Sequence, residues 1–415
     1  MLKPLENPAK KIAFVSSYRP RKCGIATFTA DLIDNLGRIG GKGFNPLVVA
    51  MESQERLNYD GLVALTVRRN VLPDYYCAAR YLNISDIEVV SIQHEFGLFD
   101  TNGGAHINRF LNRLNKPVVT TLHTVLDKPS SYYYDSLMDV CAASKKVIVM
   151  NKRGIEILQD IYHLPRKKIE LIPHGIPNLP FGNSSYCKRR LGLGWRRIIL
   201  TFGLLSENKG IEVMLKALPR IVKSHPSVLY IILGATHPEV LHFGGNSYRC
   251  RLQKMVRDLK MEENVIFCNR FVDDKELFVF LGAADIYVTP YLHKEQLTSG
   301  TLAFAMGAGK AIVSTPYRAA EELLANGRGK LVGFGDSDAM AGATLEILSG
   351  DSSSLRMRMR AYRYGRKFTW PKVAEAYLKV FEQESVPASM LSRKRPRLSN
   401  IKILLDRRQQ VSESA

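Results

Sequence analysis

The sequence predicts an α/β protein built from two doubly wound parallel sheets, and three observations point there. Short β-branched runs alternate with amphipathic stretches almost from end to end, the rhythm of βαβ units. That rhythm breaks at "PHGIPNLPFGNSS", which holds three prolines and two glycines with little periodicity, and then restarts. The chain's 415 residues exceed one ordinary core and suit two domains.

In chain order, "KIAFVSS", "NPLVVAM", "IEVVSIQHE", "PVVTTLHT", "KVIVMN" and "IELIPHGI" read as strands of a first domain over residues 1–180. Helix-like segments such as "ATFTADLIDNLGRIG" and "GAHINRFLNRLN" lie between them. After the break, "RIILTFGLL", "VLYIILGAT", "NVIFCNRF", "ADIYVTPY", "KAIVSTPY" and "GKLVGFGD" give a second domain over 190–365. "FTWPKVAEAYLKVFEQ" then sets Trp370, Val373, Ala374, Tyr377, Leu378 and Phe381 at helical spacing, a packed face. The stretch "SRKRPRLSNIKILLDRRQQ" carries Arg393, Lys394, Arg395, Arg397, Lys402, Arg407 and Arg408 against Asp406. By composition residues 387–415 are a solvated, flexible tail. Contact with an anionic membrane surface, helped by Ile401, Ile403, Leu404 and Leu405, is the alternative.

Composition narrows the class. A 46% hydrophobic, 24% charged chain is a folded soluble protein, and no apolar run approaches a bilayer span. The opening "MLKPLENPAKKIAFVSSYRP" turns polar before a signal-type core develops, so an intracellular protein is expected. Six cysteines stand singly with no C-x-x-C pair, which argues for reduced, mostly packed thiols rather than zinc or redox chemistry. A formal charge of +20 serves solubility or meets an anionic partner: a phosphate-bearing ligand, acidic lipid or nucleic acid.

Ligands of such sheets bind beyond the carboxyl ends of strands, and a cleft between domains is the default site. In "TFGLLSENKGIEVMLKAL" a strand ends at Gly203, and Lys209 with Gly210 leads into a helix whose amino terminus favours anions. A lysine there suits a diphosphate; an ordinary loop with a solvated lysine has the same pattern. In "EQLTSGTLAFAMGAGK", Thr298 and Ser299 are N-cap types and Gly300 permits close backbone approach. The amides of Ser299, Gly300, Thr301 and Leu302 are then expected to receive phosphate oxygens, with Glu295 and Gln296 matched to sugar hydroxyls. A capped helix with an exposed acidic flank is the plainer reading. "STPYRAAEELL" adds Glu321 and Glu322 at another helix start.

In the first half, "SSYRPRKCGIATFTADL" sets Gly24 in a loop where Arg19, Arg21 and Lys22 can meet an anionic group. It departs from G-x-G-x-x-G, which excludes a nicotinamide dinucleotide fingerprint of the usual kind. His94 with Glu95 ends one strand and His123 another; parallel strand ends converge, which favours a cleft over isolated packing histidines. There is no P-loop, Ser-His-Asp order or metal cluster, and Asp273 with Asp274 reads as helix-starting acids.

Taken together, "GLLSENKGIEVMLKAL", "YIILGAT", "VIFCNRFVDDKELFVFLGAADIYVTPY", "GAGKAIVSTPYRAAEELL", "GKLVGFGD" and "FTWPKVAEAYLKVFE" resemble, in order and spacing, the donor domain of GT-B retaining glycosyltransferases of family 4. The resemblance runs over residues 10 to 385. It implies two facing Rossmann-like domains with a deep cleft, a nucleotide diphosphate sugar held mainly by the second, and an acceptor held mainly by the first. By that analogy Lys209 binds the diphosphate, Glu322 lies near the nucleotide, Glu295 or Gln296 contacts the donor sugar, and His123 reaches the transferred sugar. Gly24 matches the loop near donor phosphate and acceptor, with Arg19, Arg21, Lys22, His94 and Glu95 as acceptor-side candidates. The final helix, over 366–386, would cross back onto the first domain. Three departures stand out. Leu204 replaces a usual arginine, Arg318 and Ala319 replace a glycine pair, and the apolar run Leu302, Ala303, Phe304 falls where the second carboxylate of a Glu-x7-Glu pair belongs.

The implied reaction is hexosyl transfer with retention, with the nucleotide sugar as co-substrate and no cofactor or metal. The acceptor is a sugar, lipid-linked sugar or polysaccharide, and the protein works in the cytoplasm or peripherally at the inner membrane face. A sugar phosphorylase or nucleotide-sugar epimerase on the same fold is the alternative. A basic scaffold or nucleic-acid-binding protein is a third, but a recognisable nucleic-acid module and interleaved exposed aromatics are not apparent.

Overall fold

The computed structural model describes residues 10–386 apart from 54–55, 101–102, 183, 238–239, 242–244 and 351. The basic tail read at 387–415 lies outside the described residues. Contacts divide the chain into two units, one ending at Pro173 and resuming at Pro371, the other spanning His174–Trp370.

The first unit holds β1 (Lys10–Ser16), β2 (Phe44–Glu52), β3 (Val63–Arg68), β4 (Val89–His94), β5 (Val118–Leu122), β6 (Lys146–Val149) and β7 (Ile169–Leu171). They pair in parallel in the order β3-β2-β1-β4-β5-β6-β7. All residues of β4 and β5 are buried, as expected where helices cover both faces of a parallel sheet. β3 escaped the sequence reading: its "VALTVR" is mostly half-buried at the sheet edge and flanked by a basic pair.

The second unit holds β8 (Arg197–Phe202), β9 (Val228–Leu233), β10 (Val265–Cys268), β11 (Ile286–Thr289), β12 (Ala311–Ser314) and the two-residue β13 (Lys330–Leu331). Their parallel order is β10-β9-β8-β11-β12-β13. Alternation along β8 and β9 separates two cores. Ile198, Leu200, Leu229 and Ile231 enter one, while Ile199, Val228, Tyr230 and Ile232 enter the other.

The proline-rich stretch after Pro173 counts with the second unit instead of lying between domains. Ile176 is fully buried and exchanges backbone hydrogen bonds with Phe368 and Trp370, both 2.9 Å. The final helix, Trp370–Glu384, packs on the first unit: Tyr377 Oη lies 2.9 Å from Thr121 Oγ1, and Phe381 meets Phe14 edge to face at 6.1 Å. All six cysteines are free, but Cys141 and Cys187 alone are buried and Cys250 is exposed, so the thiols are less packed than composition suggests. Among the described residues no helix is long and apolar enough to cross a membrane.

Lys310, just before β12, is 1% exposed and donates to the carbonyls of Gly282 (2.9 Å) and Ala284 (3.1 Å) at the carboxyl end of Asp274–Ala283. Burial, with Arg358 adding repulsion, lowers its pKa to about 8 from the usual 10.5. The folded state therefore releases this proton before the unfolded chain does, and stability rises with pH across that window. Relative to Lys310→Met, the wild-type protein should gain up to ~3 kcal/mol between pH 8 and 10.5, read by urea unfolding. A parallel pH dependence in the two proteins would contradict this.

Candidate functional site

The order of the second sheet reverses between β8 and β11, and a crevice beyond the carboxyl ends of those strands is where a doubly wound sheet takes its ligand. β8 runs into Gly203, whose φ of +126° suits glycine and whose missing Cβ would lie 3.2 Å from Thr301 Cγ2. The turn Glu207–Lys209 follows, immediately before helix Ile211–Ser224. It is tied to the segment after β11 by the Leu292 amide, which donates to Asn208 O at 3.1 Å.

From this turn Lys209 Nζ donates to Tyr291 Oη at 2.8 Å and stands 4.0 Å from that ring's centroid. Tyr291 is buried two residues past β11, and its ring stacks on Tyr317 with centroids 4.9 Å apart. Its hydroxyl lies 3.1 Å from Thr301 Oγ1, which lies 3.3 Å from Ser299 Oγ. Burial alone would push the Tyr291 hydroxyl up, but the Lys209 charge and its hydrogen-bonded neighbours bring its pKa below the usual value.

Ser299 is the N-cap of Gly300–Gly307 and accepts from the Leu302 amide at 3.3 Å. The Leu302 amide, expected for phosphate, is therefore engaged within the protein, while the helix itself offers no partner to the Gly300 and Thr301 amides. Gly300 abuts His174: a Cβ there would sit 2.8 Å from His174 Nε2. Burial of the His174 ring lowers its pKa to about 4, and Nδ1 pairs with Gly175 O at 2.7 Å, so the ring is neutral at pH 7.

Glu295 stands exposed at the rim, 3.7 Å from Arg318 Nε. Gln296 turns inward on its own loop, where its side-chain N–H donates to Thr298 O at 3.0 Å. Glu322 lies on Arg318–Leu324, with its charge acting on Arg328 and Tyr364. The structure thus joins Lys209, Ser299 and Thr301 in one network, borders it with Gly203 and Gly300, and sets Glu322 on the next helix.

In the first unit, Cys23 caps helix Gly24–Gly40, and the space where a Gly24 Cβ would stand is open. Arg19 pairs with Asp34 at 3.0 and 3.1 Å and lies 3.6 Å from Asp60, with its side chain 46% exposed. Arg21 donates to Met51 O at 3.4 Å, and Lys22 is exposed. His94 departs from the sequence reading as an acceptor-side group. It is fully buried against Phe96 and Phe99, with neither ring nitrogen hydrogen-bonded, and burial lowers its pKa to about 4. Glu95 caps the short helix Phe96–Phe99 and accepts from Thr124 Oγ1 at 2.6 Å, so its carboxylate serves the fold. His123 is half-buried at the end of β5; its Nε2 donates to Gln93 Oε1 at 3.0 Å and its ring meets Phe28 edge to face.

Sequence reasoning passed over Tyr291 and Tyr317 and read Arg318 only as replacing a glycine. A signal was present: Thr-Pro-Tyr begins at the last residue of β11 and just after β12, two adjacent strands in register at Thr289 and Ser314. Repeated at neighbouring strand ends, that tripeptide delivers two stacked rings. Among the described residues no group of three His, Cys, Asp or Glu side chains could hold a metal.

Two family models match this chain: Glycosyltransferase Family 4 over residues 23–178 and Glycosyl transferases group 1 over 196–350. A phosphatidyl-myo-inositol mannosyltransferase of Mycolicibacterium smegmatis is 30% identical over 191 residues, 46% of each chain. The chain spans about half the length of the first curated relatives it matches. A glycosyltransferase of Methanocaldococcus jannaschii is 25% identical over 329 residues, covering 73% of this chain and 80% of that one. The crystal structure of Anabaena HepE in complex with UDP superposes with a TM-score of 0.69 at 16% identity, covering 90% of this chain and 100% of that one. Likeness of that kind speaks for the fold, which is GT-B.

The buried, unpaired ring of His94 works against acid stability. Its unfolded form takes a proton below about pH 6.5 and its folded form below about pH 4, so folding stability falls as pH drops through that window. His94→Phe should reduce this loss by up to ~3 kcal/mol, read as a shallower decline of Tm between pH 6.5 and 4.5. An unchanged decline would show that another group governs it.

Proposed function

The chain belongs to the group 1, family 4 glycosyltransferases, and we propose that it moves a hexose from a nucleotide diphosphate sugar to a sugar, lipid-linked or polysaccharide acceptor with retention of configuration. The observation that carries this reading is the Lys209 ammonium, held by Tyr291 in one hydrogen-bonded network with the amino terminus of Gly300–Gly307. As the glycosidic bond to phosphate breaks, negative charge collects on the departing diphosphate and the anomeric carbon becomes oxocarbenium-like. A fixed ammonium and helix-terminal amides act where that charge develops.

In this reading the acceptor hydroxyl attacks from the leaving-group side and the departing phosphate takes its proton, so neither a covalent nucleophile nor a metal is required. Glu295, with the Gln296 carbonyl oxygen, contacts donor hydroxyls; Glu322 lies toward the nucleotide; His123 reaches the transferred sugar. Two comparisons support the substrates: the HepE structure contains UDP, and the mycobacterial relative's name specifies mannosyl transfer to a phosphorylated inositol lipid. The chain's +20 charge favours an anionic acceptor or an acidic membrane surface beside it.

A melting-temperature panel with UDP, GDP, ADP and their hexose conjugates tests the donor site. One nucleotide series should stabilise the protein by ~2.7 kcal/mol at a hundred times its Kd, and Lys209→Ala should abolish that gain while keeping the fold. Absence of stabilisation by every nucleotide would remove the donor-site reading.

A further inference from the structure

The resemblance to family 4 supplies Lys209 with a role but no partner, and the arginine usual at residue 204 is a leucine. What stands beside the lysine is Tyr291, through both its hydroxyl at 2.8 Å and its ring face at 4.0 Å. These contacts differ in kind. The ring face attracts the cation without fixing its protons, whereas the hydroxyl accepts one N–H along a set direction.

An ammonium only donates, so the Tyr291 oxygen accepts from Lys209. The same oxygen shares a hydrogen bond with Thr301 Oγ1 at 3.1 Å, and Thr301 Oγ1 lies 3.3 Å from Ser299 Oγ, which also accepts the Leu302 amide. Tyr317 Oη donates toward Ser299 Oγ and Thr289 Oγ1, each at 3.4 Å. The Tyr291 hydroxyl is thus joined to the helix amino terminus on one side while it receives the lysine on the other.

We propose that Tyr291 is the positioning residue for Lys209, its hydroxyl held through Thr301 and Ser299 so that it aims the Lys209 ammonium at a diphosphate. The Leu292 amide on Asn208 O ties the same turn through its backbone, whereas Tyr291 fixes the lysine side chain. The members sit on three separate segments, the Glu207–Lys209 turn, the stretch just past β11 and the start of Gly300–Gly307, and the Tyr291 hydroxyl joins them.

The proposal rests on the donor-site reading above, and one set of measurements separates the two. Binding of UDP, GDP, ADP and inorganic pyrophosphate to the full chain is measured by calorimetry for the wild type, Tyr291→Phe, Lys209→Ala and the double variant. Tyr291→Phe keeps the stack on Tyr317 and the cation–π contact, and should weaken the bound diphosphate about tenfold, the weight of one hydrogen bond to a charged group. In the Lys209→Ala background the same change should cost nothing further. Thr301→Val should behave like Tyr291→Phe, while Thr301→Ser, which keeps the hydroxyl, should retain wild-type affinity; this pair carries the test if Tyr291→Phe does not fold. Equal affinity of Tyr291→Phe and wild type, or an undiminished loss when Lys209 is already absent, would overturn the positioning role of Tyr291 and leave the donor site standing. Failure of the folded wild type to bind any of the four ligands would overturn both.

Discussion

Parallel pairing is the constraint on which the rest of this structure depends. A parallel strand needs a crossover to reach its neighbour, the crossovers cover both faces of the sheet, and every strand then ends at the same edge. In the second unit that places the ends of β8, β11 and β12 side by side, although they come from residues 202, 289 and 314. Groups far apart in sequence meet there because their strands leave them no other exit. Lys209 follows β8, Tyr291 follows β11 and Tyr317 follows β12, and the contacts among them are consequences of the sheet order.

The same logic explains what could be read from sequence. Strands such as "VLYIIL" and "VVSIQH" are continuous apolar or neutral runs bounded by turn residues, so burial on both faces was visible in composition. β3 and β13 were harder because edge strands bury less and need fewer apolar residues; β13 has two residues in all. Lys209, Ser299 and Gly300 were legible because residue type and position together disclose what each one does. They are a cation before a helix, a capping hydroxyl and a residue without a Cβ.

The partners of these residues were not legible. Arg19 reads as a cation without carboxylates at hand until Asp34 and Asp60 are seen beside it, and nothing in the sequence around Glu95 shows that it caps Phe96–Phe99. Sequence names a residue's hydrogen-bonding capacity; the fold decides which neighbour uses it. Tyr291 illustrates the converse. At the end of an apolar strand it reads as one more core ring, yet its buried hydroxyl needs partners, and Lys209 and Thr301 are within reach.

The charged departures from the family pattern bear on each other. Leu204 lacks a positive charge, and Phe304 lacks a negative one, 7% exposed and packed against the neutral ring of His174. Losing one of each lowers the number of ions that must be desolvated there, while Arg318, in place of a glycine, returns one cation 3.7 Å from the exposed Glu295. A buried carboxylate at residue 304 would need its own donors, and its nearest aromatic neighbour, His174, is held neutral by burial with Nδ1 already turned to Gly175. An apolar side chain is the consistent choice beside that ring. Lys209 keeps its contacts with the hydroxyl and the ring face of Tyr291, so its charge is placed just past the carboxyl end of β11 without help from either missing residue.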